Sequence, residues 1–211
     1  MKSRARAHLA AVACFGAALG SARPAIAVPA ASPTEVPRII VSASASLMRP
    51  GDTAVRDLYG GRQMGLGLDC EIRVGPAVEL FVGGRFASAR GTTAVVPPQA
   101  FDESYEIELT NRSVQIGAAL TRPGRARLRW MFGAGIAIGS YEERWPVLGA
   151  PVQGSSLGIV GLGGAHYALT SSLGVVARME WSLLKARQAA DDGTKPNLGG
   201  IGLSLGASAR F

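Results

Sequence analysis

Gly200-Ile201-Gly202-Leu203-Ser204-Leu205-Gly206-Ala207-Ser208-Ala209-Arg210-Phe211 closes the chain and decides how the rest is read. Its odd positions are Ile, Leu, Leu, Ala, Ala and Phe, and its even positions hold only Gly, Ser and Arg. Successive side chains of a strand point to opposite faces, so one face here is wholly apolar and the other is small or charged. Chain ends are usually frayed and polar, yet this one stops on an apolar-faced strand with Phe211 as its last residue. That combination predicts a membrane-spanning β-barrel.

Composition agrees with a barrel rather than a helical membrane protein. The 211 residues fit one domain. Glycine stands at 28, without a collagen period, and hydrophobic residues make up 47%. The formal charge is +7, but four cations (Lys2, Arg4, Arg6, Arg23) lie in the first 27 residues, where there is no acid; the remainder carries 18 basic and 15 acidic residues, a net of +3. The basic balance is therefore mostly a targeting feature and gives no support to a nucleic-acid partner. Cys14 and Cys70 are the only cysteines, and His166 is the only histidine after residue 27. With Cys14 removed in a leader, an internal disulfide and a zinc site of the usual Cys/His type are both excluded, and no metal or other cofactor is expected.

Residues 1–27 have the three parts of a Sec-type signal peptide: Lys2, Arg4 and Arg6, then an apolar run from Leu9 to Leu19, then Ala25-Ile26-Ala27 as the small-x-small cleavage pattern. A lipoprotein reading through Cys14 ranks below it, because only about five apolar residues would precede the cysteine. Residues 28–37, rich in Pro and Ala, read as a periplasmic lead-in, and 38–211 as the barrel. No later stretch approaches the ~20 apolar residues of a membrane helix, so insertion must be by strands.

Eight strands follow in order. The first runs from about Ile39 to Met48, with Ser42, Ser44 and Ser46 on its polar face, and Pro50-Gly51-Asp52 opens a polar loop to about Arg62. In the second, Met64, Leu66, Leu68, Cys70, Ile72 and Val74 alternate with Gly65, Gly67, Asp69, Glu71 and Arg73. In the third, Val78, Leu80, Val82, Gly84 and Phe86 oppose Glu79, Phe81, Gly83 and Arg85; residues 90–104 read as a long loop. The fourth changes phase, since Tyr105, Ile107 and Leu109 are odd whereas Val114, Ile116, Ala118 and Leu120 are even; a bulge near Asn111 is expected, with the upper part standing above the membrane. The fifth sets Leu128, Trp130, Phe132, Ala134, Ile136 and Ile138 against Arg129, Met131, Gly133, Gly135, Ala137 and Gly139, and is followed by a long loop over 141–154. The sixth, about Leu157 to Leu169, is Gly-rich; the seventh sets Leu173, Val175, Ala177, Met179, Trp181 and Leu183 against Gly174, Val176, Arg178, Glu180 and Ser182. Residues 185–197 form the last long loop. Connections thus alternate long and short, with short turns at Gly75-Pro76, Arg122-Pro123-Gly124-Arg125 and Thr170-Ser171-Ser172. This is the bacterial outer-membrane plan: an all-β, eight-stranded antiparallel up-and-down barrel with both chain ends in the periplasm.

Energy decides which face meets lipid. An Arg on the lipid face costs about 2–4 kcal/mol at mid-depth, and several such residues would exceed a typical stability of roughly 5–15 kcal/mol. The charged face therefore points inward. Glu71, Arg73, Glu79, Arg85, Arg178, Glu180 and His166 are the candidate polar network of a narrow lumen, where small residues must alternate with charges. Trp130, Tyr167 and Phe211 fall near the periplasmic rim, and Phe86 and Trp181 near the outer rim, as aromatic girdles require.

Gly163-Gly164-Ala165-His166-Tyr167-Ala168-Leu169-Thr170, followed by Arg178-Met179-Glu180-Trp181, resembles the last hairpin of the OmpA-type membrane barrel, with Ser208-Ala209-Arg210-Phe211 like its closing strand. The resemblance covers about the last fifty residues. It implies that Arg178 and Glu180 join a lumen ion-pair network, that His166 stands where the family usually has an acid, and that Phe211 is the signal read by the barrel-assembly machinery. The overall plan is equally similar to the small OmpX and Ail group, which ends at the barrel.

Three functions follow in descending order. The first is a monomeric, non-enzymatic outer-membrane protein in contact with outer-membrane lipid, whose long loops, through Tyr59, Arg144 and Trp145, are available to a surface ligand. The second is a small channel or carrier for ions or small solutes, bounded by how little an eight-stranded lumen holds. The third is a lipid A-modifying enzyme with His166 as base; its nearest hydroxyls, Thr170, Ser171 and Ser172, sit in a turn on the periplasmic side, so no catalytic residue is assigned.

Overall fold

The period-two segments pair in sequence order and close on themselves. A computed structural model describes residues 39–94, 104–124, 127–145, 151–187 and 195–211. The expected signal segment 1–27, the expected lead-in 28–37 and much of three long connections lie outside the described residues. The strands are β1 (Ile39–Pro50), β2 (Gln63–Arg73), β3 (Val78–Ala94), β4 (Ser104–Pro123), β5 (Leu128–Arg144), β6 (Val152–Ala168), β7 (Leu173–Ala186) and β8 (Gly200–Arg210). Every neighbour pair is antiparallel, and β8 returns to β1 to close the barrel. Ile39 and Phe211 exchange backbone hydrogen bonds of 3.2 and 2.9 Å, so the closing seam runs to the last residue.

Register fixes the barrel's size. From Ile39 the paired residues run through Ile72, Leu80, Ala118, Ala134, Gly161, Trp181 and Ile201, and return to β1 at Arg49, ten residues further along. With about 3.3 Å per residue and about 4.8 Å between strands, that stagger tilts the strands by about 40° and sets a backbone radius of about 8 Å. An 11-residue strand such as β8 then rises about 28 Å, enough for an apolar band of about 25 Å.

The outer wall is that band. Met64, Leu66, Leu120, Phe132, Leu203 and Leu205 are each more than 60% exposed. In water so continuous an apolar surface would be an aggregation site, whereas in lipid it is the required exterior. The barrel is a transmembrane one, and no helix among the described residues is long and apolar enough to cross a membrane.

Above the band, at the long-loop end, the expectations need correction. β3 runs on to Ala94 where a loop from residue 90 is expected, β5 continues to Arg144, and β6 begins at Val152. β3 to β6, with 17 to 20 residues each, project about 15 Å past the band. Their ladders continue because each supplies its neighbour's hydrogen bonds, whatever its side-chain pattern.

The bulge expected near Asn111 is absent. β4 stays in unbroken register with β3 from Val78↔Leu120 to Ala94↔Ser104, and with β5 from Glu108↔Arg144 to Pro123↔Arg129. The phase change has another cause. Val114, Ile116 and Leu120 point outward to lipid, whereas Ile107 and Leu109 point inward and are buried. Above the membrane the outer face meets water, so the apolar side changes without any slip of the backbone.

What buries Ile107 and Leu109 is a helix inside the expected polar loop between β1 and β2. α1 (Thr53–Tyr59) is capped by Asp52, whose side chain accepts from the Ala54 N–H at 2.9 Å, and ends at Gly60 with φ 75°. These are ordinary helix start and stop signals. Val55 and Tyr59 turn down into the barrel mouth and pack with Ala89, Ile107, Leu109, Ala137, Leu184, Ala186 and Leu198. Gly91 allows the helix to sit so low, since a Cβ there would collide with the Leu58 carbonyl oxygen.

Candidate functional site: the lumen

The lumen is filled in two stages, and the lower one is charged. Arg178 on β7 is its hub: its guanidinium binds Asp69 and Glu71 on β2 and donates to Ser42 Oγ on β1 at 3.2 Å. Arg129 on β5 binds Glu71 at 3.0 Å and also Glu79 on β3, which in turn holds Arg73 at 3.0 Å. On the other side Arg85 binds Asp69 at 2.7 Å and Glu180 at 3.0 Å, and the Gln115 amide donates to Glu180 at 2.6 Å. The result is one continuous network of four arginines and four carboxylates, balanced in formal charge. Balance matters, because an uncompensated charge in so dry a place would cost several kcal/mol, on the order of 3–5.

Each of the seven residues read from the sequence as the lumen network lies in this cluster or against it. Glu71, Arg73, Glu79, Arg85, Arg178 and Glu180 are in the ion-pair chain. His166, 0% exposed, places Nε2 3.3 Å from Glu71 and 3.2 Å from the Met131 sulfur. Asp69 and Arg129 belong to the network as well, beyond the seven expected, and share the inward parity of Glu71 and of Met131. Parity could have found them; the partners of each could not be read from it, since these depend on the barrel radius.

Glycine on the inward face makes room for the charges. A Cβ on Gly83 would collide with the Asp69 carboxylate, one on Gly67 would lie 3.2 Å from Arg85 Nη1, and one on Gly164 would lie 2.9 Å from Arg178 Cγ. Beside the charges stands a small apolar cluster of Phe81, Ala119, Met131, Val160 and Leu162 on β3 to β6. Gly117 leaves space for its ring, as a Cβ there would approach Phe81 Cζ to 2.6 Å.

The upper stage is the apolar cap under α1, fastened by polar contacts at its edge. The Tyr59 hydroxyl donates to Glu143 on β5. Burial, with the Glu143 carboxylate second, raises the Tyr59 phenol well above its ordinary range. Asp52 accepts from the Asn197 N–H at 3.1 Å, and Asn197 Oδ1 accepts from Leu184 and Gly199 at 2.9 and 3.1 Å, which ties the β7–β8 connection to the helix.

This arrangement corrects the surface-ligand residues. Tyr59 is buried in the cap, and Trp145 packs against it. Arg144 alone of the three is exposed, and it pairs with Glu142 at 2.7 Å. The hydrogen bond to Glu142 and that carboxylate's charge, with a smaller contribution from Glu108, raise the Arg144 guanidinium further. Of the girdle residues, Trp130, Tyr167 and Phe211 stand exposed toward the short-turn end, and Phe86 and Trp181 toward the long-loop end.

Among the described residues no group of His, Cys, Asp and Glu is placed to hold a metal ion. Neither a family model nor a curated protein sequence matches the chain. Solved structures do. Neisserial surface protein A is similar with a TM-score of 0.59 at 16% identity, over 82% of this chain and 97% of that one. The N-terminal β-barrel domain of Pseudomonas aeruginosa OprF is matched at 0.49 and 12% identity, over 83% of this chain and 98% of that domain. Ail, the attachment invasion locus protein of Yersinia pestis, is matched at 0.46 and 16% identity, over 82% and 96%. At these identities the likeness is one of fold: the chain is a closed eight-stranded barrel of the kind found among outer-membrane proteins.

Proposed function

We propose that this chain is a non-conducting, non-enzymatic outer-membrane barrel that serves envelope structure or surface contact. One observation carries the reading. A charge-balanced plug of four arginines and four carboxylates lies beneath an apolar cap, inside a barrel of about 8 Å backbone radius. Two stacked fillings of opposite polarity leave neither a continuous wet path for ions nor a continuous greasy path for apolar solutes.

The companion assignments belong to the same reading. Residues 1–27 direct export, Phe211 is presented to the barrel-assembly machinery, and the monomeric barrel meets outer-membrane lipid. Kinship with OmpA-type barrels rests on the hairpin bearing Arg178 and Glu180. A lipid-modifying role has little support: His166 is enclosed against Glu71 and Met131, and Thr170 spends its hydroxyl on the turn by accepting from Leu173 N–H at 2.9 Å.

Planar-bilayer recording of the refolded chain tests the proposal. A baseline without current steps is the expected result, and reproducible steps from the wild-type chain would replace the plug reading with a channel. Displacing the cap and the network together (Y59A with R178M) is expected to produce leak currents that the wild type lacks.

A further inference from the structure

The lipid-facing wall is not uniform, because a groove of about 830 Å³ crosses it from Trp130 on β5 to Met64 on β2. Its lining includes Ala177, Met179, Leu203, Ala45, Leu47 and Met64. Small side chains form the floor, and the long ones form the walls. The groove follows a row of paired residues, Met179↔Leu203, Leu203↔Leu47 and Leu47↔Met64. Because the stagger of ten residues lifts such a row along the axis, the groove climbs toward the long-loop end as it passes from β7 to β2.

Two cations stand at its upper end. On β1 the outward residue after Leu47 is Arg49, and Arg62 immediately precedes β2, two positions before the outward Met64; both are exposed. The β1–β2 register ends at Met48↔Gln63, so Arg49 and Arg62 are the next positions along the two chains. Neither has a carboxylate within ion-pair distance among the described residues, in contrast to Arg144 with Glu142. Neighbouring like charges repel, and an anion between them offsets that repulsion through charge-assisted hydrogen bonds. The apolar groove and the paired cations therefore match the two halves of one ligand.

We propose that the groove holds an acyl chain of a phosphate-bearing lipid of the facing leaflet, with Arg49 and Arg62 on its phosphate. A soluble phosphate is not the source, since only a lipid places its chain against Leu47 and Met64 while its headgroup reaches the arginines. Each cation near an anionic headgroup contributes a roughly fivefold gain in affinity, so the pair is worth about 25-fold.

Native mass spectrometry of the refolded barrel in dodecyl maltoside tests this, with bisphosphorylated lipid A and its dephosphorylated form as probes. The wild type is expected to retain the phosphorylated form roughly 25-fold more strongly. R49Q/R62Q is expected to abolish the preference, and A177L, which fills the floor, to weaken retention of both forms. R122Q, at the opposite rim, is expected to change neither. Heat-shifted gel migration of each variant confirms that it has folded. Equal retention of the two lipids by the wild type, or a full preference surviving in folded R49Q/R62Q, would overturn the assignment. A dimer that A177L converts to a monomer without loss of lipid would also overturn it, because a second barrel would then be the occupant.

Discussion

The part of the barrel inside the membrane and the part above it obey the same alternation with opposite polarity. On β4, Ile116 and Leu120 face outward within the band, while Ile107 and Leu109 face inward above it. Correspondingly, the lumen is charged where the outside is greasy, and greasy where the outside carries Arg112, Glu108 and Glu106. Apolar side chains go where water is absent: that is the lipid in one region and the space beneath α1 in the other. The lower region is held by ion pairs whose loss leaves an orphaned buried charge. The upper one is held by packing, whose loss is graded.

The widest contrast is available at the plug. Arg178→Met leaves Asp69 and Glu71 short of their shared partner and is expected to cost about 3–5 kcal/mol in urea unfolding from lipid vesicles. Wild-type stability would remove Arg178 from the centre of the network. Next in size is a pair of substitutions on one face of β4. Ile116→Arg is expected to cost about 2–4 kcal/mol as a charge set in lipid, while Glu106→Arg, on the same face above the band, exposed and opposite Thr92, is expected to change stability by less than about 0.5 kcal/mol. Equal costs at the two positions would erase the boundary between the regions.

The cap offers smaller effects confined to the upper region. Gly91→Ala forces α1 off its seat and is expected to cost about 1–3 kcal/mol as overpacking. The readout is faster proteolysis within residues 53–59 with heat-modifiable migration unchanged; a protected helix in that variant would contradict the close approach. The last effect is one of pH. Folding raises the Tyr59 phenol, so its contribution is complete below the usual phenol value of about 10 and is lost as pH rises from there toward the raised folded value. Hydrogen exchange of α1 should therefore accelerate above about pH 10 while the band stays protected, and Tyr59→Phe should remove that pH dependence. A wild-type cap indifferent to alkali would sink the Tyr59–Glu143 contact.

The sequence carried the membrane-embedded region almost entirely, for a physical reason. In the band each strand must be apolar on one face and compatible with a crowded lumen on the other, so period two is enforced residue by residue, as in Met64 to Val74 and Leu128 to Gly139. Above the band nothing enforces it. The extensions of β3, β5 and β6 therefore have the pattern of loops in the sequence, and the inward Ile107 and Leu109 have that of a bulge. α1 left a fainter trace: Asp52 as cap, Val55, Leu58 and Tyr59 at helical spacing, and Gly60 as stop. Seven residues are too few for periodicity to stand out, and the helix owes its existence to the mouth it fills. In the plug, parity placed every charge on the inward face, yet it could not show that Asp69 is shared by Arg85 and Arg178. That pairing follows only from the stagger and radius of the closed barrel.

The most direct measurement of the central claim, a membrane-spanning barrel greasy outside and charged within, is gel migration of cell-envelope fractions before and after boiling. The chain is expected in the outer-membrane fraction as a compact, fast-migrating band that shifts to its full apparent mass only on heating. A soluble periplasmic band with the same mobility in both lanes would contradict it.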